Sequence, residues 1–132
     1  MTDQELVRLA SQARERAYAP YSGYAVGAAL LGESGRVYTG CNVENAVYPL
    51  TVCAERAALF KAVSEGERSF ETIAVVTANG GTPCGSCRQV LAEFGLQMRV
   101  IVATPERVVS CWTVADLLPA AFGPQHLPER EE

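Results

Sequence analysis

Five cysteines and a single histidine bound the chemistry open to this chain of 132 residues. The thiols are Cys41, Cys53, Cys84, Cys87 and Cys111, and His126 lies near the C-terminus. Their odd number, with a polar, acidic start (Met1-Thr2-Asp3-Gln4-Glu5) that has no signal-peptide pattern, predicts a reducing, cytoplasmic setting. Metal or thiol chemistry is then the stronger reading and a disulfide framework the weaker. The sharpest local signal is Pro83-Cys84-Gly85-Ser86-Cys87, at the start of a predicted helix. The first helical turn brings both sulfurs to one point, so both can bind one metal. With a strand before and a helix after, the pattern also fits a thioredoxin-like redox pair, or two plain core cysteines.

Cys53-Ala54-Glu55 opens another predicted helix after an irregular segment. A thiolate from Cys53, joined to Cys84 and Cys87, makes three ligands and leaves one position open, the design of a catalytic zinc site. A structural site closes with a fourth Cys or His. Cys41 and Cys111 sit in β-like runs without metal-site spacing and are expected to be buried core cysteines. Both ligand groups lie at helix N-termini, where unpaired N–H groups and the dipole favour thiolate over thiol. Three thiolates on Zn²⁺ leave a net negative charge, which raises the pKa of bound water. The helix ends offset part of it, and Arg56 is expected to offset more by donating hydrogen bonds to ligand sulfurs. Glu55 is close enough to reach a metal-bound water or a substrate and to carry a proton between them. The plainer readings are a surface arginine and a carboxylate that only complements a helix dipole.

These residues need elements to position them. Leu6, Leu9, Ala10, Ala13 and Ala17 recur at helical spacing and predict an amphipathic helix over 3–18. Two β-rich runs follow, 25–31 and 36–42, joined by Gly32-Glu33-Ser34-Gly35 as a hairpin. Residues 43–52 read as irregular. The segment 53–65 is a helix apolar on most sides, which marks it as buried. A buried strand is expected at 72–78, a helix over 85–94 stopped by Gly95, strands at 98–103 and 108–114, and a short helix at 115–118. The last two strands are too close in sequence for a parallel crossover and are expected to be antiparallel. Residues 124–132, rich in proline and charge, are expected to form a flexible tail. The order predicts a mixed sheet with helices on its faces, in a single domain over 1–132.

Composition sets the outer limits. Hydrophobic residues are 48% and charged residues 20%, ordinary for a globular chain and far from disorder or a coiled-coil rod. The net charge of −4 argues against a nucleic-acid partner, which calls for a basic stripe. No apolar run approaches the ~18 residues of a membrane span.

Cys53-Ala54-Glu55 with Pro83-Cys84-Gly85-Ser86-Cys87 resembles the [H/C]-x-E…P-C-x-x-C signature of zinc-dependent nucleobase deaminases. With Cys as first ligand and this length, the chain is similar to the small, homotetrameric class of cytidine deaminases. Ala19-Pro20-Tyr21-Ser22, Val26-Gly27-Ala28-Ala29-Leu30, Gly40-Cys41-Asn42-Val43-Glu44-Asn45-Ala46 and Leu117-Leu118-Pro119-Ala120-Ala121-Phe122 extend the resemblance over most of the chain. The resemblance implies an α/β fold, a three-layer α/β/α sandwich with a mixed five-stranded sheet. It implies one zinc on Cys53, Cys84 and Cys87, and Glu55 as proton shuttle. Asn42 and Glu44 would bond the sugar hydroxyls, and the Ala54 backbone the pyrimidine. Phe122 would pack on a base bound in a neighbouring subunit. Tyr24 stands where the family usually has Phe and adds a hydroxyl near the sugar.

The implied reaction is hydrolytic deamination of cytidine and 2′-deoxycytidine to uridine and 2′-deoxyuridine plus ammonia, by a zinc-bound hydroxide, in pyrimidine salvage. The implied partners are a nucleoside substrate and three further copies of the chain, with no nucleic acid and no membrane. The greasy helix at 53–65 agrees with an assembly, since so small a domain has little apolar surface to spare. The alternatives are a sister deaminase acting on another aminopyrimidine or an aminonucleoside antibiotic, a thioredoxin-like oxidoreductase using only Cys84 and Cys87, and a structural zinc protein.

Overall fold

The computed structural model describes residues 1–129; the end of the expected tail, 130–132, lies outside the described residues. The elements follow the expected order: α1 (Asp3–Arg14), β1 (Gly27–Gly32), β2 (Val37–Cys41), α2 (Ala54–Ser64), β3 (Phe70–Val76), α3 (Gly85–Ala92), β4 (Arg99–Ala103), β5 (Val108–Thr113) and α4 (Val114–Leu117). Short 3-10 turns add Tyr48–Leu50 and Pro124–His126. The second of these gives the start of the expected tail a defined turn.

The strands form one sheet in the order β2-β1-β3-β4-β5. Within this sheet β3 and β4 run parallel; the hairpin β1–β2 and the pair β4–β5 are antiparallel, as their short connections require. The three central strands are buried on both faces, which is why they read as continuous apolar runs. Alternate residues divide between two cores. Ala29, Ala74, Val76, Ile101 and Ala103 meet Leu6 and Ala10 of α1. Ala28, Leu30, Ile73, Val75, Val100 and Val102 meet Ala58 and Leu59 of α2, Leu91 of α3 and Leu117 of α4. Burial of each Leu or Ile contributes ~1.5–3 kcal/mol. The result is the three-layer α/β/α sandwich with a mixed five-stranded sheet.

Three expectations change. The first helix begins on a Thr2–Glu5 capping box but ends at Arg14, not at residue 18. Beyond it, Tyr18 donates its N–H to the Asn42 carbonyl (2.9 Å) and accepts from the Glu44 N–H (2.8 Å), so strand-like pairing replaces the last helical turn. Cys111 is exposed and Cys41 half-buried, so neither is a core cysteine; both lie on edge strands, where a face is left uncovered. Finally, α2 is one-sided. Ala54, Glu55, Ala58, Leu59 and Ala62 are buried, while Phe60 is exposed. Among the described residues, no helix is long and apolar enough to cross a membrane.

Close approach of α2 to the sheet depends on one residue. A Cβ at Gly40 would lie 2.6 Å from the Ala58 nitrogen and 2.7 Å from the Ala54 oxygen. Glycine there lets the first turn of α2 rest on β2, which sets Cys53 and Glu55 at the edge of the sheet.

Candidate metal and nucleoside site

The N-termini of α2 and α3 converge near the C-terminal end of β3. Open α/β sheets form their crevices at the carboxyl ends of strands. Cys53 and Cys84 are the residues that cap these helices, both in extended conformation, and neither side chain is used as a cap. Their sulfurs are therefore free for other partners. Cys87 follows one turn into α3 and is buried.

The three sulfurs lie within 4.8 Å of one another. Tetrahedral Zn–S bonds of ~2.3 Å place sulfurs ~3.8 Å apart, so the cluster fits zinc. The donor set agrees, since three soft sulfurs suit zinc and leave a fourth position open. Arg56 donates from Nη2 to the Cys53 sulfur at 3.1 Å and to the Thr51 carbonyl at 3.4 Å. The Cys53 thiol is pulled down to about 5, first by a hydrogen bond with Cys87 and then by Arg56. Cys87 is pushed up, by that same bond with Cys53 and by burial. A bound dication favours the ionised form of both.

Glu55 is 4% exposed and opens the first turn of α2. Burial raises its carboxyl to about 7, and the Cys53 charge adds to this; its own N–H and Cys87 pull the other way. Such a group both accepts and donates a proton near neutral pH.

Cys53, Ala54, Glu55 and Cys84 line one side of a cavity of about 280 Å³, whose walls also include Ser22, Tyr24, Asn42 and Glu44. Asn42 is 7% exposed. Its Oδ1 accepts from the Val26 N–H (2.9 Å) and its Nδ2 donates to the Tyr24 carbonyl (2.8 Å). One N–H and one lone pair are left over. The Glu44 carboxylate accepts from the Tyr21 (2.9 Å) and Ser22 (3.1 Å) N–H groups and from the Ser22 hydroxyl. The Ser22 hydroxyl, followed by those N–H groups, holds it below the usual carboxylate range. The Tyr24 hydroxyl donates to Asn79 Oδ1 at 2.7 Å, tying the cavity wall to the loop after β3.

Phe122 is not in its own chain's cavity. It is 56% exposed and stacks on His126, with ring centres 5.3 Å apart. Sequence reasoning passed over Thr51, Thr77 and Thr82, which also line the cavity. Thr51 and Thr82 each stand two residues before a cysteine of the cluster, a position that could have drawn attention to them.

Comparison with known proteins agrees with this geometry. Residues 1–104 match the cytidine and deoxycytidylate deaminase zinc-binding region. A cytidine deaminase of Sporosarcina psychrophila is 50% identical over 130 residues, 96% of each chain. One from Mycobacterium tuberculosis H37Rv is 47% identical, over 90% of this chain and 88% of its own. The crystal structure of cytidine deaminase from Burkholderia pseudomallei superposes with a TM-score of 0.89 at 49% identity, covering 92% of this chain and all of that one. A redox pair made of Cys84 and Cys87 alone leaves the third sulfur and these similarities unexplained. Three convergent sulfurs, a buried carboxyl beside them and the match over residues 1–104 lead to one conclusion: this chain belongs to the zinc-binding cytidine and deoxycytidylate deaminase family.

Proposed function

We propose that the protein deaminates cytidine and 2′-deoxycytidine by hydrolysis, releasing ammonia and the uridine product. The observation that carries the reading is a buried carboxyl, Glu55, beside three convergent sulfurs at one side of a nucleoside-sized cavity. Relatives named cytidine deaminase, at 50% and 47% identity over most of their length, support the same substrate.

Cys53, Cys84 and Cys87 would hold the zinc, which when bound supplies an activated water for hydrolysis. Glu55 takes a proton from the attacking water and gives it to ring N3 of the base. The hydroxyl now on C4 gives its remaining proton through Glu55 to the amino group, so that the C4–N bond breaks, ammonia leaves and a C4 carbonyl remains. Burial, which opposes its ionised form, leaves the Glu55 carboxylate ready to take up each proton. Arg56 holds the Cys53 sulfur, and its charge offsets part of the excess on three thiolates. The Ala54 backbone meets the pyrimidine, and Tyr24 forms an aromatic wall. The spare N–H of Asn42 and the ionised Glu44 receive the sugar hydroxyls. Asn42 also braces Tyr24 and Val26, so its side chain works on both the fold and the ligand.

The same reading makes the chain a single domain over 1–132 and a homotetramer that works in pyrimidine salvage in the cytoplasm. Exposed Val47, Tyr48, Leu50, Phe60 and Phe122 support an assembly, because apolar surface of that extent usually meets a partner. Phe122 would then close the cavity of a neighbour.

The test is ultraviolet measurement of cytidine loss by the zinc-replete protein, with 2′-deoxycytidine, cytosine and adenosine alongside. Cytidine and 2′-deoxycytidine should react, and cytosine should be poor, because the groups that bind the sugar are left unpaired. Glu55→Gln should retain zinc and lose activity by several powers of ten. Cytosine reacting as well as cytidine would remove the sugar-binding roles. An active metal-free protein would remove the whole reading.

A further inference from the structure

The residue after Cys87 has no role so far, yet its side chain joins two separate parts of the chain. Arg88 is half-buried on α3. Its Nε donates to the Pro83 carbonyl at 2.7 Å and its Nη2 to the Thr82 hydroxyl at 2.9 Å. Its Nη1 donates to the Leu117 carbonyl, at the end of α4, at 2.8 Å.

Thr82 and Pro83 lead directly into Cys84 and lie beyond the support of the sheet. The loop ahead of them is held by Thr77, whose hydroxyl accepts from the Gly80 (2.8 Å) and Gly81 (3.0 Å) N–H groups. Pro83 has no N–H of its own, so its backbone can be held only through its carbonyl. Among the described residues, the hydrogen bonds made by Thr82 and Pro83 both come from Arg88. Cys84 itself is exposed; its carbonyl accepts from the Arg88 N–H at 3.0 Å, so backbone and side chain of one residue hold Cys84 and its approach. The adjacent Gln89 donates to the Phe122 carbonyl at 2.9 Å. The same helix turn thus holds the approach to Cys84 and the segment that ends in Phe122.

We propose that Arg88 is a positioning residue: its guanidinium clamps Thr82-Pro83 to the end of α4 and thereby fixes the Cys84 sulfur for the metal. The proposal rests on Cys84 being a zinc ligand, as proposed above. A planar fork is needed to reach three oxygens in different directions. Lysine keeps the charge but not the fork. Groups that orient a metal ligand typically change metal affinity by ~10–100-fold when removed.

The experiment compares wild type, Arg88→Lys and Thr82→Val. Zinc affinity is read by competition with a chromogenic chelator. The thiolate-to-metal charge-transfer band is read on the cobalt-substituted proteins, and circular dichroism reads the fold. Arg88→Lys should stay folded, bind zinc ~10–100-fold more weakly and shift or weaken the charge-transfer band. Thr82→Val, which removes one bond of the three, should lose ~2–12-fold in affinity. A folded Arg88→Lys protein with affinity within twofold of wild type and an unchanged band overturns the clamp. If Arg88→Lys fails to fold, normal affinity and an unchanged band in Thr82→Val overturn it equally. A wild type that binds no zinc overturns the ligand set itself, whereas normal wild-type binding with unaffected variants overturns only the role of Arg88.

Discussion

Replacing Glu55 with glutamine in the metal-free protein should make the fold more stable, by an amount that grows with pH. The side chain is almost fully buried, and burial raises its carboxyl from the ordinary 4.5 to about 7. In the unfolded chain it returns to the ordinary value. Between those two values the folded chain keeps a proton that the unfolded chain has released. The wild type therefore has its full stability from this group below about pH 4.5, and loses it as pH rises through about 7. At ~1.4 kcal/mol per pH unit across that window, the loss is about 1 kcal/mol at pH 5 and about 3 kcal/mol at pH 8. Glutamine is neutral throughout and escapes it. Urea unfolding of both proteins in chelator, from pH 5 to pH 8, measures the gap, with equal slopes as the check on two-state behaviour. The advantage of Glu55→Gln should widen by about 2 kcal/mol over that range. A gap that is flat with pH, or a wild type more stable at pH 8, would show that Glu55 is not held against its ionisation. The argument for its proton-carrying range would then fail.

Replacing Cys84 or Cys87 with serine should remove zinc and activity together, which elemental analysis beside the cytidine assay will read. Gly40→Ala forces a methyl against the backbone of Ala54 and Ala58; overpacking of this kind costs about 1–3 kcal/mol, so the melting temperature should fall and, because the Cys53 turn is displaced, zinc affinity with it. Phe122→Ala, at an exposed ring, should leave the isolated fold intact while raising KM for cytidine and loosening the assembly. Light scattering at micromolar protein reads the second effect, and a fully active wild-type monomer would leave Phe122 with no neighbour to serve.

Much of this molecule is written locally. The period of Leu6 and Ala10, the apolar runs of β1, β3 and β4, and the loops at Gly32–Gly35 and 79–83 predict elements in the right order. The reason is that helix and strand preferences act over a few residues. The chemistry of Cys84 and Cys87 is equally local, since one helical turn brings both sulfurs together. Cys53 with Glu55 is legible as a second metal-like helix start, but nothing in the spacing alone requires its sulfur to meet the other two.

That meeting is decided by the sheet. β1 lies between β2 and β3, α2 packs against β2 through Gly40, and α3 starts beyond β3, so two helix ends remote in sequence share one point. Tertiary contact also ends α1 at Arg14, because pairing with residues 42–44 satisfies the Tyr18 backbone better than another helical turn. It leaves Cys111 uncovered at the sheet edge, gives Asn42 its bonds to Tyr24 and Val26, and sends Arg88 to Pro83 and Leu117. A sequence window carries the propensity of a residue but not the identity of its distant partner. Partners are fixed only when burial of the two cores outweighs the entropy of closing the loops between them.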